Sequence, residues 1–400
     1  VVSFLSSTTR RRRARSTAAL LSAAIAITPI LAERGFAADR LRPAASSGAP
    51  ATAAPQSPSQ SAPAKSSQSQ AATVWTLPAP IWAAWRAAFL DASGRVVDTA
   101  NGDISHSEGQ GYGLLLAVYA NDWATFDQIW TFTLTELLIR DDGLAAWKWD
   151  PNHKPHVVDI NNATDGDILI AWALAQAASL WNEPRYRDAA TRIAKAVGST
   201  MLRSFGGYTL ILPGAAGFDH SADGGGVIIN PSYWVFEALP VLASLAPDYD
   251  WTGAERSGLD LLSKAQFGSY SLPSDWIQVS VNGDLAPAPG FDPVFGYNSL
   301  RIPLYLLGAG HTEKQRLEPY DHAWVQDGRY SPLIVDVETG KVVERLTEPG
   351  YEILAALVSC SLSGTSVPYD LREFQPTSYF ASTLHLLAMT VLARRYAKCL

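Results

Sequence analysis

The 400-residue sequence carries 31 Lys and Arg against 38 Asp and Glu, a formal charge of −7, and 47% of its residues are hydrophobic. That hydrophobic content belongs to a globular protein with a sizeable core, and the acidic balance excludes the basic footprint of a nucleic-acid binder. The 13 Trp and 15 Tyr are an unusual number, and such rings fill cores but also stack on sugars and line clefts.

In chain order, Arg10 to Arg13 and Arg15 form a basic run, Ser16 to Ala32 is small and apolar, and Gly35-Phe36-Ala37 offers a small-x-small cleavage site. The pattern predicts a cleaved secretory signal over residues 1–37 and a secreted or periplasmic protein. The apolar stretch is short and broken by Pro29, so no membrane span is expected after cleavage. Without residues 1–37 the chain has 25 basic and 37 acidic residues, a charge of −12 that disfavours anionic membranes. Residues 38–73 are rich in Ala, Pro, Ser and Gln and read as a disordered linker. The folded domain is expected over 74–400.

Within it, helical periodicity dominates. Helices are predicted over Ile81–Leu90, Gly113–Ala120, Trp123–Leu138, Asp167–Leu180, Pro184–Leu202, Ser232–Leu245, Trp251–Gln266, Leu300–Leu307, Thr312–His322, Tyr351–Val358 and Ser378–Tyr396. Strand patterns are short: Tyr208–Leu212, Val227–Ile229 and Ile277–Val281. No fixed repeat appears, which argues against a solenoid. Cys360 and Cys399 are too few for a disulfide framework, and their pairing stays open. No Cys/His cluster has metal-ligand spacing, so neither metal nor cofactor is expected.

Three segments carry candidate chemistry. In Ser105-His106-Ser107-Glu108-Gly109-Gln110-Gly111-Tyr112-Gly113, Ser105 and Glu108 fit a capping box. The flanking glycines also clear an approach to Glu108, and apolar neighbours would raise its pKa, as a general acid requires. In Ala163-Thr164-Asp165-Gly166-Asp167, Thr164 and Asp167 fit a second capping box, which leaves Asp165 at the helix mouth. In Phe291-Asp292-Pro293-Val294-Phe295-Gly296-Tyr297-Asn298-Ser299-Leu300-Arg301, Asn298 reads as an N-cap and Arg301 as a clamp or ion-pair partner.

The run from Ala163-Thr164-Asp165-Gly166-Asp167 through Ile170-Ala171 and Ala173-Leu174 to Trp181 resembles the signature of glycoside hydrolase family 8. Arg95 to Thr99 with Ser107 to Gly113, Trp147-Lys148-Trp149, Asn230-Pro231-Ser232-Tyr233, Pro273-Ser274-Asp275-Trp276 and Tyr379 extend that resemblance over about residues 78–395. It implies an all-α (α/α)6 barrel and inverting hydrolysis of β-1,4 glycans, with β-1,4-linked poly- or oligosaccharide as the partner. It is nearest to the periplasmic endoglucanases that accompany bacterial cellulose synthesis, which adds an expected association with a polysaccharide synthesis or export complex. By the resemblance, Glu108 is the general acid and Asp165 binds and distorts the sugar. Tyr112, Trp149, Tyr233, Trp276, Tyr297, Asn298, Arg301 and Tyr379 line the cleft.

One position departs from the cellulase-type pattern. Asn298 stands where those members place the Asp that serves as base, and an amide is not basic. Asp292 is then the candidate base, with Asp275 and Asp284 behind it. The alternatives are a glycan-binding protein with little catalysis, or a chitosanase or xylanase of the same family.

Overall fold

The computed structural model describes residues 75–400. The expected signal (1–37) and linker (38–73) lie outside the described residues. The helices are α1 (Ala79–Phe89), α2 (Ser107–Tyr119), α3 (Trp123–Phe132), α4 (Thr164–Trp181), α5 (Pro184–Thr200) and α6 (Leu239–Leu245). They continue as α7 (Trp251–Lys264), α8 (Arg301–Ala309), α9 (Lys314–Trp324), α10 (Pro349–Ser363), α11 (Tyr369–Arg372) and α12 (Tyr379–Arg395).

Burial sorts them into two rings. Along α2, α4, α8, α10 and α12 nearly every position in the first ten or so residues is buried, whatever its side chain. A helix covered on all sides belongs to an interior. The odd-numbered helices keep a wet face: in α5 the buried set Tyr186, Ala189, Ala190, Ile193, Ala194 and Val197 follows the i, i+3, i+4 stripe. Inner and outer helices therefore alternate along the chain except at the short α6, which buries only Leu239 and Leu242. The ring closes where α12 packs against both α1 and α2, with Trp85 Nε1 donating to Thr383 Oγ1 at 3.1 Å. This is the expected (α/α)6 barrel.

Boundaries differ from the periodicity at informative places. Helices α2 and α4 start earlier than predicted, at Ser107 and Thr164, so Glu108 and Asp165 lie inside their first turns. The predicted helix over Ser232–Leu245 resolves into a 3₁₀ turn at Pro231–Tyr233 and the short α6. Short antiparallel strands lie in the loops, among them Ser105–His106 paired with Lys148–Trp149, and Val294–Phe295 paired with Leu333–Asp336. Cys360 and Cys399 form a disulfide that ties the C-terminal turn to α10. Among the described residues no helix is long and apolar enough to cross a membrane.

Candidate active site

Neither expected capping box forms. His106 is the N-cap of α2, and its Nδ1 accepts from Gly109 N at 3.0 Å. Ser105 is a strand residue whose hydroxyl donates to the Val96 carbonyl. Thr164 is the first residue of α4 and donates to Leu212 O at 2.7 Å. Asp167 instead accepts from Ala145 N (2.7 Å) and Asn162 Nδ2 (2.9 Å), fixing the loop that leads to α4. Burial pushes its carboxyl up to about 7. Asn298 is not a cap either: Leu300 precedes α8, and the Asn298 carbonyl accepts from Arg301 Nε at 3.1 Å.

The glycines near Glu108 have a packing role rather than the ligand-clearing role expected of them. A Cβ on Gly111 would stand 2.5 Å from Leu169 Cβ, and one on Gly166 would stand 2.1 Å from Ser107 Oγ. Each helix thus presents a glycine where the other presses closest. That approach brings the first turns of α2 and α4 together, and Glu108 beside Asp165.

Arg301, the first residue of α8, completes the cluster. Its Nη1 hydrogen-bonds Glu108 Oε2, and it reaches Asp165 Oδ2 at 2.7 Å. Its Nη2 donates to Ser232 Oγ (2.7 Å) and Asn298 Oδ1 (3.1 Å). The guanidinium has no solvent exposure, and the Tyr233 ring lies 5.8 Å from Cζ. Five donors in one plane allow one side chain to serve two acids, a hydroxyl and an amide.

Burial drives both acids toward their neutral forms, and Arg301 draws them back. For Glu108 the pull of Arg301, joined by that of His106, outweighs burial, and its carboxyl is held below the ordinary range. Asp165 is raised by burial and by the neighbouring Glu108 charge, against Arg301. The pKa increase expected for Glu108 is therefore found on its partner, because the guanidinium touches both acids and they repel each other.

Asp275 also belongs to this site. Its Oδ1 accepts from Gly296 N (2.9 Å) and Ser299 N (3.0 Å), and its Oδ2 from Asn298 Nδ2 (3.3 Å). Asp292 is exposed on its loop, and its carboxylate makes no hydrogen bond or ion pair with Glu108, Asp165, Asn298 or Arg301. Asp284 sits in an exposed turn near Gly206, Tyr208 and Lys264.

The aromatic residues divide. Tyr112, Tyr233 and Tyr379 are buried, so their rings back the cluster instead of presenting an open face. Tyr112 hydrogen-bonds Tyr305, and Tyr379 meets His106 edge-on at 5.7 Å. Trp149 is partly exposed but is stacked on His156 at 4.1 Å and lies under Arg95. Trp276 stacks on Phe218 (5.5 Å) and Phe291 (4.6 Å), and the Tyr297 hydroxyl donates to Glu344 (3.0 Å). The cleft that holds Glu108 and Asp165 is lined by Asn101, Ile104, His106 and Trp147. Those four, with Ser232, were not selected from the sequence. Trp147 and Ser232 lay inside motifs already noted, but nothing local distinguishes Trp147 from Trp149. Among the described residues no group of three or more His, Cys, Asp or Glu is placed to hold a metal ion.

Paired acids on neighbouring inner helices of an (α/α)6 barrel are the arrangement a carboxylate-based hydrolase uses. Residues 60–394 match the family model for glycosyl hydrolases family 8. A probable endoglucanase of Novacetimonas hansenii is 37% identical over 319 residues, 79% of this chain and 91% of that one. The crystal structure of a family 8 endoglucanase from Klebsiella pneumoniae superposes with a TM-score of 0.72 at 30% identity, covering 78% of this chain and 99% of the other. An endo-β-1,4-glucanase from Acetobacter xylinum gives 0.71 at 36% identity, covering 78% and 97%. The chain belongs to glycosyl hydrolases family 8 and is a glycoside hydrolase.

Proposed function

We propose that this hydrolase is an exported, inverting endo-β-1,4-glucanase. The observation that carries the reading is the joining of Glu108 and Asp165 by one buried guanidinium, beside a small pocket that both acids line together with Trp147. Glu108 delivers a proton to the leaving glycosidic oxygen. Asp165 holds the sugar at the scissile bond and supports the charge that develops at the anomeric carbon. In the free site Asp165, raised by burial, is the more readily protonated of the two acids.

The endoglucanase names of the relatives support glucan as substrate. The signal-like residues 1–37 and the Cys360–Cys399 disulfide support an oxidising, extracytoplasmic compartment. Work beside a bacterial cellulose or exopolysaccharide synthesis complex rests on the resemblance to endoglucanases of that setting.

The test is the anomer of the first product from a soluble β-1,4-glucan. Inversion releases the α-anomer, and release of the β-anomer refutes the mechanism. Glu108→Gln lowers kcat by about a hundredfold or more, the scale of a lost general acid.

One observation favours a second reading, a glycan-binding protein with little turnover: Asn298 is held between Arg301 and Asp275 where an acid would serve as base. Asn298→Asp separates the two. A large gain in turnover supports the binding reading, and little change supports a base already in place. Rates on β-glucan, xylan and chitosan decide among substrates.

A further inference from the structure

The missing base is the open chemical question, and three acids compete for the role. Asp292 and Asp284 are exposed and outside the Arg301 network. Asp275 is 5% exposed and reaches that network through a single side chain, Asn298.

The orientation of Asn298 follows from its neighbours. Arg301 can only donate and ionised Asp275 can only accept, so the amide oxygen must face Arg301 and the amide nitrogen Asp275. Asn298 thus gives a hydrogen bond to the charged form of Asp275. An Asp at 298 would instead set two carboxylates side by side, and one would hold a proton. The amide therefore leaves Asp275 as the ionised acid at this place.

Asp275 also keeps capacity for a water. A carboxylate has about four acceptor positions. Oδ1 uses two on the Gly296 and Ser299 amides, the Ser299 hydroxyl also interacts with the carboxylate, and Oδ2 has only a long 3.3 Å bond from Asn298 that a water could replace. Burial pushes the Asp275 carboxyl up against these hydrogen bonds, which increases its proton affinity.

We propose that Asp275 is the general base, taking on Oδ2 the proton of the water that attacks the anomeric carbon. The inference rests on the inverting-glucanase reading. The water oxygen forms its bond to the anomeric carbon as the glycosidic carbon–oxygen bond breaks. The Glu108 proton goes to the leaving oxygen and the water proton to Asp275. Exchange with solvent restores both acids.

The experiment uses the full chain and a soluble cello-oligosaccharide. Asp275→Asn keeps an acceptor for the two backbone amides, and its kcat falls by about a hundredfold or more while KM stays within about threefold. Asp275→Ala has the same loss, and sodium azide restores turnover with an α-glycosyl azide as product. Azide needs no base, and a residue that only shapes the loop would not be replaced by it. The proposal is overturned by Asp275→Asn within about tenfold of the parent, by a folded Asp275→Ala that azide does not revive, or by loss and azide rescue at Asp292→Ala instead. Where the alanine variant does not fold, the kcat and KM of Asp275→Asn decide. Failure of the underlying reading is separate: the unsubstituted enzyme then releases the β-anomer or leaves the glucan uncut.

Discussion

Arg301 Nη1 lies 2.7 Å from Asp165 Oδ2, and the same nitrogen hydrogen-bonds Glu108 Oε2. A single cation thus holds the first turns of α2 and α4 to the start of α8, and no solvent reaches it. Stability and chemistry are coupled at this point.

Arg301→Met tests that coupling. It leaves two buried carboxylates without their cation, and breaking a buried pair in this way costs about 3–5 kcal/mol. Without the guanidinium, burial and mutual repulsion raise the folded-state pKa of both acids above the unfolded values. The penalty is then absent below the unfolded pKa and grows as pH rises through the folded one. Urea unfolding should show a large loss at neutral pH that shrinks on acidification. A variant as stable as the parent at neutral pH would refute the role.

Gly111→Ala addresses the helix contact that pairs the acids. The added methyl meets Leu169 Cβ at 2.5 Å, so α2 and α4 must separate. Overpacking of this kind costs about 1–3 kcal/mol. Because Glu108 is one turn from Gly111, kcat should fall together with the denaturation midpoint. Unchanged values for both would show that the contact gives way without effect.

Glu237→Gln concerns a group remote from the chemistry. Glu237 lines a cavity along with Tyr112, Trp172 and Arg394, and burial pushes its carboxyl up to about 7 against the pull of Arg394 and Arg395. Its raised pKa means that stability is fully present below the ordinary value of 4.5 and is lost as pH rises through about 7. Glutamine removes that loss, worth on the order of 1–3 kcal/mol. The Tm difference between variant and parent should widen from about pH 5 to about pH 8. A constant difference would refute it.

The Cys360–Cys399 bridge spans a sequence separation of 39 residues, and both sulfurs are buried. In the chain-entropy model a loop of that length contributes about 4 kcal/mol. Denaturant unfolding with and without a thiol reductant measures it. Equal midpoints after confirmed reduction would show that the α10 anchor is held by packing alone.

The helices were legible as helices because burial imposes a 3.6-residue period on one ring and a continuous apolar run on the other. The α5 stripe and the continuous apolar run in α4 are examples. The starts of α2 and α4 were placed too late, at Gly113 and Asp167, because the apolar run begins only after the polar and glycine-rich first turns. Ser105 and Thr164 were misassigned as caps. A strand pairing claimed the first, and the Leu212 carbonyl claimed the second.

Glu108 and Asp165 were found from local motifs, because an acid at the start of an apolar helix stands out within ten residues. Their meeting depends on Gly111 and Gly166, and Gly111 read locally as room for a ligand. Arg301 reaches Glu108 across 193 positions and Asp165 across 136, while Asp275 and Asn298 meet across 23. The sequence by itself determined the helical content and the two acids, and its motifs the family, since periodicity and short motifs are local properties. Only the tertiary structure decided which acid Arg301 holds low, which aromatic rings remain accessible and which carboxylate stands beside Asn298. Each of those depends on side chains brought together by ring closure, which no local pattern records.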